Sequence, residues 1–190
     1  MSLQGCCFFS TVTDPVYKAH MKTAFSPGAQ TGSIDALQQD FRTKIEKVLK
    51  RLRQQGWHPY LRSTYRSPRR QEAMYNYSRT KEFFGANPGT HARGGESCHN
   101  HRDEDGRPWS LAADIVPGKE DRQDTKSRAR FYWALGKGSK QMGLRWGGSW
   151  AKTNPTWRKY GLGWDPAHVQ SRKCTWKVLK ADREAYSGGP

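Results

Sequence analysis

Two histidines and two aspartates in this sequence have the types and spacing of a hydrolytic metal site. His99 follows a glycine-rich stretch, and Asp114 lies within an apolar run at residues 111–116 that is typical of a buried strand. His168 comes later, three residues after Asp165. Zinc binds imidazole nitrogen and carboxylate oxygen, and a catalytic zinc leaves one position to water, whose proton a further carboxylate accepts. These residue types therefore indicate Zn²⁺ held by His99, Asp114 and His168, with Asp165 as the general base.

The assignment of the ligands leaves alternatives open. His101 competes with the first histidine, and Asp103 and Asp105 compete with Asp114 because they lie nearer to the histidines in sequence. A carboxylate in a buried strand is costly unless it is paired or binds a metal, which favours Asp114. Neighbouring residues of a strand point to opposite faces, so we expect Cys98 to pack behind the site and not to bind the metal.

The composition is typical of a compact and strongly basic protein. At 190 residues the chain suits one domain with an extension, and eight Trp, eight Tyr and seven Phe supply apolar surface although the hydrophobic fraction is only 34%. The formal net charge of +16 favours polyanionic partners such as nucleic acid, an anionic membrane or a bacterial envelope. No stretch approaches the ~20 apolar residues of a membrane span.

The cysteines and the first residues bear on the compartment of synthesis. The four cysteines show no CxxC spacing, and two of them, Cys6 and Cys7, are adjacent. The sequence therefore predicts neither a disulfide framework nor a structural zinc site, and it favours a reducing compartment. Residues 1–13 lack a basic lead and a long apolar core, so we expect no signal peptide.

Helices and strands of an α+β pattern must position the candidate residues. Ser33 is the expected N-cap of the first helix, and Ser67 with Pro68 opens the second. Three segments have the apolar period of a helix, namely 33–56, 68–82 and 124–142. Three short segments have the pattern of strands, namely 57–65, 111–116 and the segment around His168, and residues 144–150 have the pattern of a strand followed by a turn. The domains expected from this order are an N-terminal extension at 1–32, the catalytic domain at 33–170 and a basic tail at 171–190.

Five short blocks, taken in order, resemble a known family of enzymes. They are Tyr-Arg-Ser…Gln (65–67 and 71), Ser-x-His (97–99), Leu-Ala-x-Asp (111–114), Gly-Leu-x-Trp-Gly-Gly-x-Trp (143–150) and Asp-x-x-His-x-Gln (165–170). Over about residues 60–170 the chain resembles the zinc peptidases that cut bacterial cell-wall peptides, the D-alanyl-D-alanine carboxypeptidases and dipeptidases. The Trp-Gly-Gly-x-Trp block resembles the L-alanyl-D-glutamate peptidase branch, which includes phage endolysins.

The resemblance implies an α+β fold with a small antiparallel sheet, flanking helices and the zinc site in a cleft on the sheet. It implies the same three zinc ligands, Asp165 as the base, and Arg66 as an oxyanion or substrate anchor. The expected substrate-contacting residues are Ser97, Gln71, Trp146 and Trp150. Trp164 is expected to line the cleft as well, and at least one of the three tryptophans is expected to pack in the core. The implied reaction is cleavage of peptidoglycan stem peptides at the L-Ala–D-Glu bond, and D-Ala-D-Ala carboxypeptidase activity is the alternative.

A basic nucleic-acid-binding protein is the competing class, but it leaves the five ordered blocks unexplained. We therefore expect a monomer that acts on stem peptides and contacts the anionic envelope through its charge, with no nucleic acid partner. Such an enzyme would be made in the host bacterial cytoplasm and would act on the cell wall or periplasm after release. The spacing from His99 to Asp114 is longer than is usual in the family, which indicates an insertion within 100–109 that flanks the cleft.

Overall fold

The computed structural model describes residues 31–79, 90–151 and 155–187. These ranges form an α+β fold, as the sequence predicts, with one antiparallel sheet and flanking helices. The strands are β1 (Pro59–Ser63), β2 (Ala112–Pro117), β3 (Arg145–Trp146) and β4 (His168–Gln170), in the spatial order β1-β2-β4-β3. The helices are α1 (Gln39–Gln54), α2 (Pro68–Tyr77), α3 (Thr125–Gln141), α4 (Pro155–Arg158) and α5 (Trp176–Ser187). None of the helices in these ranges is long and apolar enough to cross a membrane.

The hydrophobic core lies between the sheet and the helices α1 and α3. The apolar stripe of α1 is buried, and it meets the buried side chains Phe131 and Leu135 of α3. Two glycines that would weaken an isolated helix lie in the packed part of α3. Gly136 is covered by the ring of Trp146, so that a Cβ there would collide with the indole, and Gly138 faces Val48 on α1. Close packing therefore accounts for Gly136, whereas a Cβ at Gly138 would meet Val48 at an ordinary contact distance of 3.7 Å.

The strand β2 is the centre of the sheet, and all six of its residues are buried. It pairs with β1 on one side and with β4 on the other, both antiparallel. The register places Asp114 opposite His168 on β4 and opposite Ser63 at an irregularity of β1. Because paired residues of neighbouring strands lie side by side, this register brings one predicted ligand beside another.

The beginning of the first helix differs from the sequence-based prediction. Ser33 caps a short 3-10 turn (Ile34–Ala36), and the long helix begins at Gln39 with Gln38 as its N-cap. Between the two, Leu37 is buried and forms a parallel bridge with Ser110, which holds the backbone extended. Burial of an apolar side chain has overridden the local helical pattern here.

Cys98 and Cys174 form a disulfide, and this corrects the expectation of unpaired cysteines. The segment Cys98–Asn100 is also a 3-10 turn and not a strand. The disulfide joins this turn to the chain just before α5, and Val178 and Leu179 of α5 pack against the bridge. The predicted basic tail therefore carries a helix that is tied to the sheet. The sequence offers no way to pair two cysteines 76 residues apart.

Some predictions lie outside the described residues. These are Cys6 and Cys7, the N-terminal extension apart from residues 31 and 32, and the predicted end of the second helix near 82. The domain boundaries at 32 and 170 stay predictions.

Candidate metal centre

The structure brings the three predicted ligands together. His99 lies on the turn Cys98–Asn100, Asp114 on β2 and His168 on β4, and one ligand atom of each lies within 4.8 Å of the others. The Nε2 atom of His99 and the Nδ1 atom of His168 both lie 3.3 Å from Oδ1 of Asp114. All three side chains are buried. The cluster faces a cleft of about 670 Å³.

Each imidazole is oriented by a hydrogen bond from the nitrogen that points away from the cluster. Nδ1–H of His99 donates to the backbone carbonyl of Thr64 at 2.6 Å, and Nε2–H of His168 donates to Oε1 of Gln170 at 3.0 Å. In the neutral imidazoles, these bonds place the lone pairs on Nε2 of His99 and Nδ1 of His168, the two nitrogens that face Asp114. Ligand histidines in metal sites are held in this way, so the donor set fits zinc.

The electrostatics of the cluster favour a charged carboxylate. Burial would raise the pKa of Asp114, but the two imidazoles outweigh burial and hold that pKa well below its usual range. Burial lowers the pKa of His99. Burial acts in the same direction on His168, but the hydrogen bond and charge of Asp114, with the charge of Asp165, raise its pKa. An ionised carboxylate among imidazoles is the state that a divalent cation requires.

The predicted base, Asp165, lies in the same cleft beside the cluster. Burial and the nearby charge of Asp114 raise its pKa. Its backbone carbonyl accepts a hydrogen bond from the amide of His168 at 3.1 Å, which fixes the turn between the two residues. Gly147 permits this arrangement, because a Cβ there would collide with the carbonyl oxygen of Asp165. The first glycine of the Trp-Gly-Gly-x-Trp block thus has a steric role beside the site.

Arg66 is buried at the edge of the cluster. Its Nη2 atom lies 3.4 Å from Oδ2 of Asp114, and its Nη1 atom donates to Oε1 of Gln71 at 2.7 Å. The amide of Gln71 in turn donates to the Ala92 carbonyl at 2.7 Å. Burial lowers the pKa of Arg66, and the charge of Asp114 opposes this. Gln71 is fully buried, so it holds the guanidinium and does not line the described part of the cleft.

Some of the other predicted substrate-contacting residues line the cleft, and one is buried in the core. Ser97 and Trp150 line the cleft, as does Trp164. Trp146 is buried, and its Nε1–H donates to the carbonyl of Pro166 at 2.8 Å, so it belongs to the core. None of residues 100–109 lines the described part of the cleft, and the expectation that this insertion flanks the cleft stays a prediction.

Several residues of the site are absent from the sequence-based prediction. Arg62 is half exposed in the cleft, with Nη2 at 3.5 Å from Oδ2 of Asp114. Arg145, Trp176 and Leu179 also line the cleft. Gln170 belongs to the Asp-x-x-His-x-Gln block, and its role could have been assigned, because it follows His168 by two residues and so shares its face of the strand. The carbonyl of Thr64 carries no signal in the sequence, since every residue has one.

The profile of a known family matches most of the described chain. Residues 35–170 match the family described as "VanY: D-alanyl-D-alanine carboxypeptidase". The chain belongs to the VanY family. It is therefore a peptidoglycan-acting metallopeptidase of the VanY type, and the His99–Asp114–His168 cluster is its candidate metal site.

Comparisons with individual proteins add distant similarities. No curated protein sequence matches this chain. Among solved structures, the LdcB LD-carboxypeptidase is similar with 15% identity, a TM-score of 0.49, and coverage of 85% of this chain and 75% of that one. VanYB, solved in complex with D-alanine-D-alanine, is similar with 16% identity, a TM-score of 0.39, and coverage of 79% and 82%.

Proposed function

We propose that this VanY-family protein is a zinc-dependent endopeptidase that cleaves the stem peptide of peptidoglycan at the L-Ala–D-Glu bond. The observation that carries the proposal is the buried cluster of His99, Asp114 and His168, in which one nitrogen of each imidazole lies 3.3 Å from Oδ1 of Asp114. Asp165 is the spare carboxylate in the same cleft. Two histidines, one carboxylate ligand and a second carboxylate suit hydrolysis of an amide.

Zinc, Asp165 and Arg66 would have different roles in the reaction. Zinc bound at the cluster would polarise the scissile carbonyl and lower the pKa of a water molecule. Asp165 accepts the proton of the attacking water and returns it to the leaving amine, and its raised pKa suits both transfers. Arg66 lies beside Asp114 and is held by Gln71, which supports its role in stabilising the oxyanion.

The choice of bond depends on what surrounds the leaving residue. Both candidate bonds precede a D-residue whose α-carboxylate is free. In the D-Ala–D-Ala bond this residue is the end of the stem, and in the L-Ala–D-Glu bond D-Glu continues the stem through its side-chain carboxyl. Arg62 and Arg145 are exposed cations in the cleft and suit this carboxylate. A D-Ala-D-Ala carboxypeptidase needs room for one terminal residue, whereas an endopeptidase needs space beyond it. The cleft of about 670 Å³ is larger than one residue needs, which favours the longer substrate.

Mass spectrometry of digested peptidoglycan tests the function and the bond together. The native protein, the chelated protein and Asp165→Asn are incubated with purified peptidoglycan. New L-alanine C-termini and D-glutamate N-termini are expected only with the native protein. Release of D-alanine would favour the second candidate, the D-Ala-D-Ala carboxypeptidase that the family description suggests. No cleavage by a folded, zinc-loaded protein would refute the peptidase function.

The basic surface supports a role as an endolysin that is made in the host cytoplasm and reaches the wall after release. A net charge of +16 favours adsorption to the anionic envelope. Such attraction between exposed charges is screened by salt, since the Debye length falls to about 3 Å at 1 M. Lysis of permeabilised cells should therefore weaken as ionic strength rises, and lysis that does not depend on salt would exclude this role of the charge.

A further inference from the structure

The helix α5 lies beyond the part of the chain that matches the family profile, yet it forms one wall of the cleft. The match ends at residue 170, and α5 begins at Trp176. Trp176 and Leu179 line the cleft together with the ligands. The helix is held by the Cys98–Cys174 disulfide, by a hydrogen bond between Nδ1 of His101 and Asp182 at 3.0 Å, and by the ion pair of Arg183 with Glu96. It is therefore a fixed addition to the catalytic domain.

A groove of about 680 Å³ runs from the cleft along α5. The groove and the cleft have five lining residues in common, namely His91, Ala92, Glu96, Trp176 and Leu179, so the two spaces are continuous. Trp176 lies at their junction and is 71% exposed, more than any other large hydrophobic residue of the described ranges. An exposed indole that lines a cavity beside a catalytic site is a candidate for ligand contact.

The charges of the groove are paired with one another. Arg183 lies 2.8 Å from Glu96, and Lys180 lies 3.7 Å from Glu184. A stem peptide with its free carboxylates would be drawn to the cations in the cleft and not to these balanced pairs. An indole face beside balanced polar groups suits an uncharged ring with apolar faces and many hydroxyls, which is the chemistry of a pyranose.

We propose that Trp176 and the groove along α5 form a saccharide subsite for the glycan strand that carries the stem peptide. The inference rests on the proposed cleavage of the L-Ala–D-Glu bond. In that case one residue, about 3.5 Å when extended, separates the scissile bond from the lactyl group of the sugar. At the D-Ala–D-Ala bond three more residues intervene, and the sugar would lie about 10 Å farther away. A sugar subsite that adjoins the metal cluster fits the first bond.

Kinetics with paired substrates test the subsite. The native protein, Trp176→Ala and the control Tyr60→Ala are assayed on a stem peptide with and without its disaccharide. Tyr60 is also an exposed aromatic residue, 57% exposed, but it does not line the cleft or the groove. Trp176→Ala should lower kcat/KM roughly tenfold on the sugar-bearing substrate and less than about twofold on the free peptide. Equal losses on both substrates, or no loss, would overturn the subsite.

Binding without catalysis separates this inference from the proposed function. The peptide-free disaccharide of N-acetylglucosamine and N-acetylmuramic acid is titrated into ¹⁵N-labelled protein while the indole N–H resonances are followed. The indole resonance of Trp176 is assigned as the one that is absent from the spectrum of Trp176→Phe. This resonance should shift when the disaccharide is added. If that resonance does not move, the saccharide subsite is refuted even where cleavage occurs. If it moves but neither substrate is cleaved, the proposed function fails and the subsite stands.

Discussion

Removing the Cys98–Cys174 disulfide should cost a large part of the stability of the domain. The bridge joins residues 76 positions apart, and both cysteines are buried. Closing a loop of this length removes conformational entropy from the unfolded chain, which corresponds to about 4.5 kcal/mol at 25 °C in the chain-entropy account. For a chain of this size such a loss lowers the Tm by about 9–18 °C.

The perturbation is best made in two independent ways. One is the double variant Cys98→Ala/Cys174→Ala, and the other is reduction of the unchanged bridge with a thiol. Both are made in a background with Cys6→Ser and Cys7→Ser, so that no other thiol contributes. Denaturant unfolding measures the free energy of unfolding of the oxidised, reduced and substituted proteins. The reduced and the substituted proteins should agree, because both lack the same restraint.

The reasoning would be refuted by a small effect. If the oxidised and reduced proteins differ by less than about 1 kcal/mol, the bridge does not restrain the unfolded chain as argued. Cys98 is the neighbour of His99, and α5 begins two residues after Cys174, so the bridge also bears on function. We therefore expect the reduced protein to bind zinc more weakly, which a competition titration with a chromogenic chelator measures.

Four further predictions concern the site. Asp165→Asn should lower kcat by about 100- to 10,000-fold while zinc still binds. If the variant lost zinc binding as well as activity, Asp165 would be a metal ligand and not the base. Arg62→Gln should raise KM roughly tenfold, and Arg69→Gln, an exposed arginine outside the cleft, should not. Chelation should lower the Tm by the equivalent of about 4 kcal/mol relative to protein with zinc at 1,000 times its Kd, and zinc but not magnesium should restore it. The raised pKa of His168 means that a proton must leave Nδ1 before zinc binds, so zinc affinity should fall about tenfold per pH unit below that pKa; an affinity without pH dependence would contradict this.

The resemblance and the local pattern were sufficient for the fold class and the main helices. The third predicted helix, at 124–142, is found as α3 at Thr125–Gln141, because the periodic apolar residues and the N-cap Asp124 are local signals. The first helix begins late because Leu37 pairs with Ser110, a contact between residues far apart in sequence. Local patterns thus predict elements well where neighbours in sequence decide the conformation.

Residue types and local pattern were sufficient to select the candidate metal ligands and the candidate base. His99, Asp114, His168 and Asp165 are recognisable by residue type, and burial of a carboxylate in an apolar strand marks Asp114. The sequence could not tell a tryptophan of the core from one of the cleft. Trp146 is covered by α3, whereas Trp150 lines the cleft.

The way in which these side chains meet depends on contacts between distant segments. The register of β2 on β4 sets Asp114 beside His168, and the hydrogen bonds of His99 and His168 choose which nitrogen faces the metal. The disulfide and the wall formed by α5 likewise depend on residues that are distant in sequence. The physical reason is the same in each case: types and periods are local properties of a chain, whereas register, pairing of cysteines and the walls of a cleft are set by packing between distant segments.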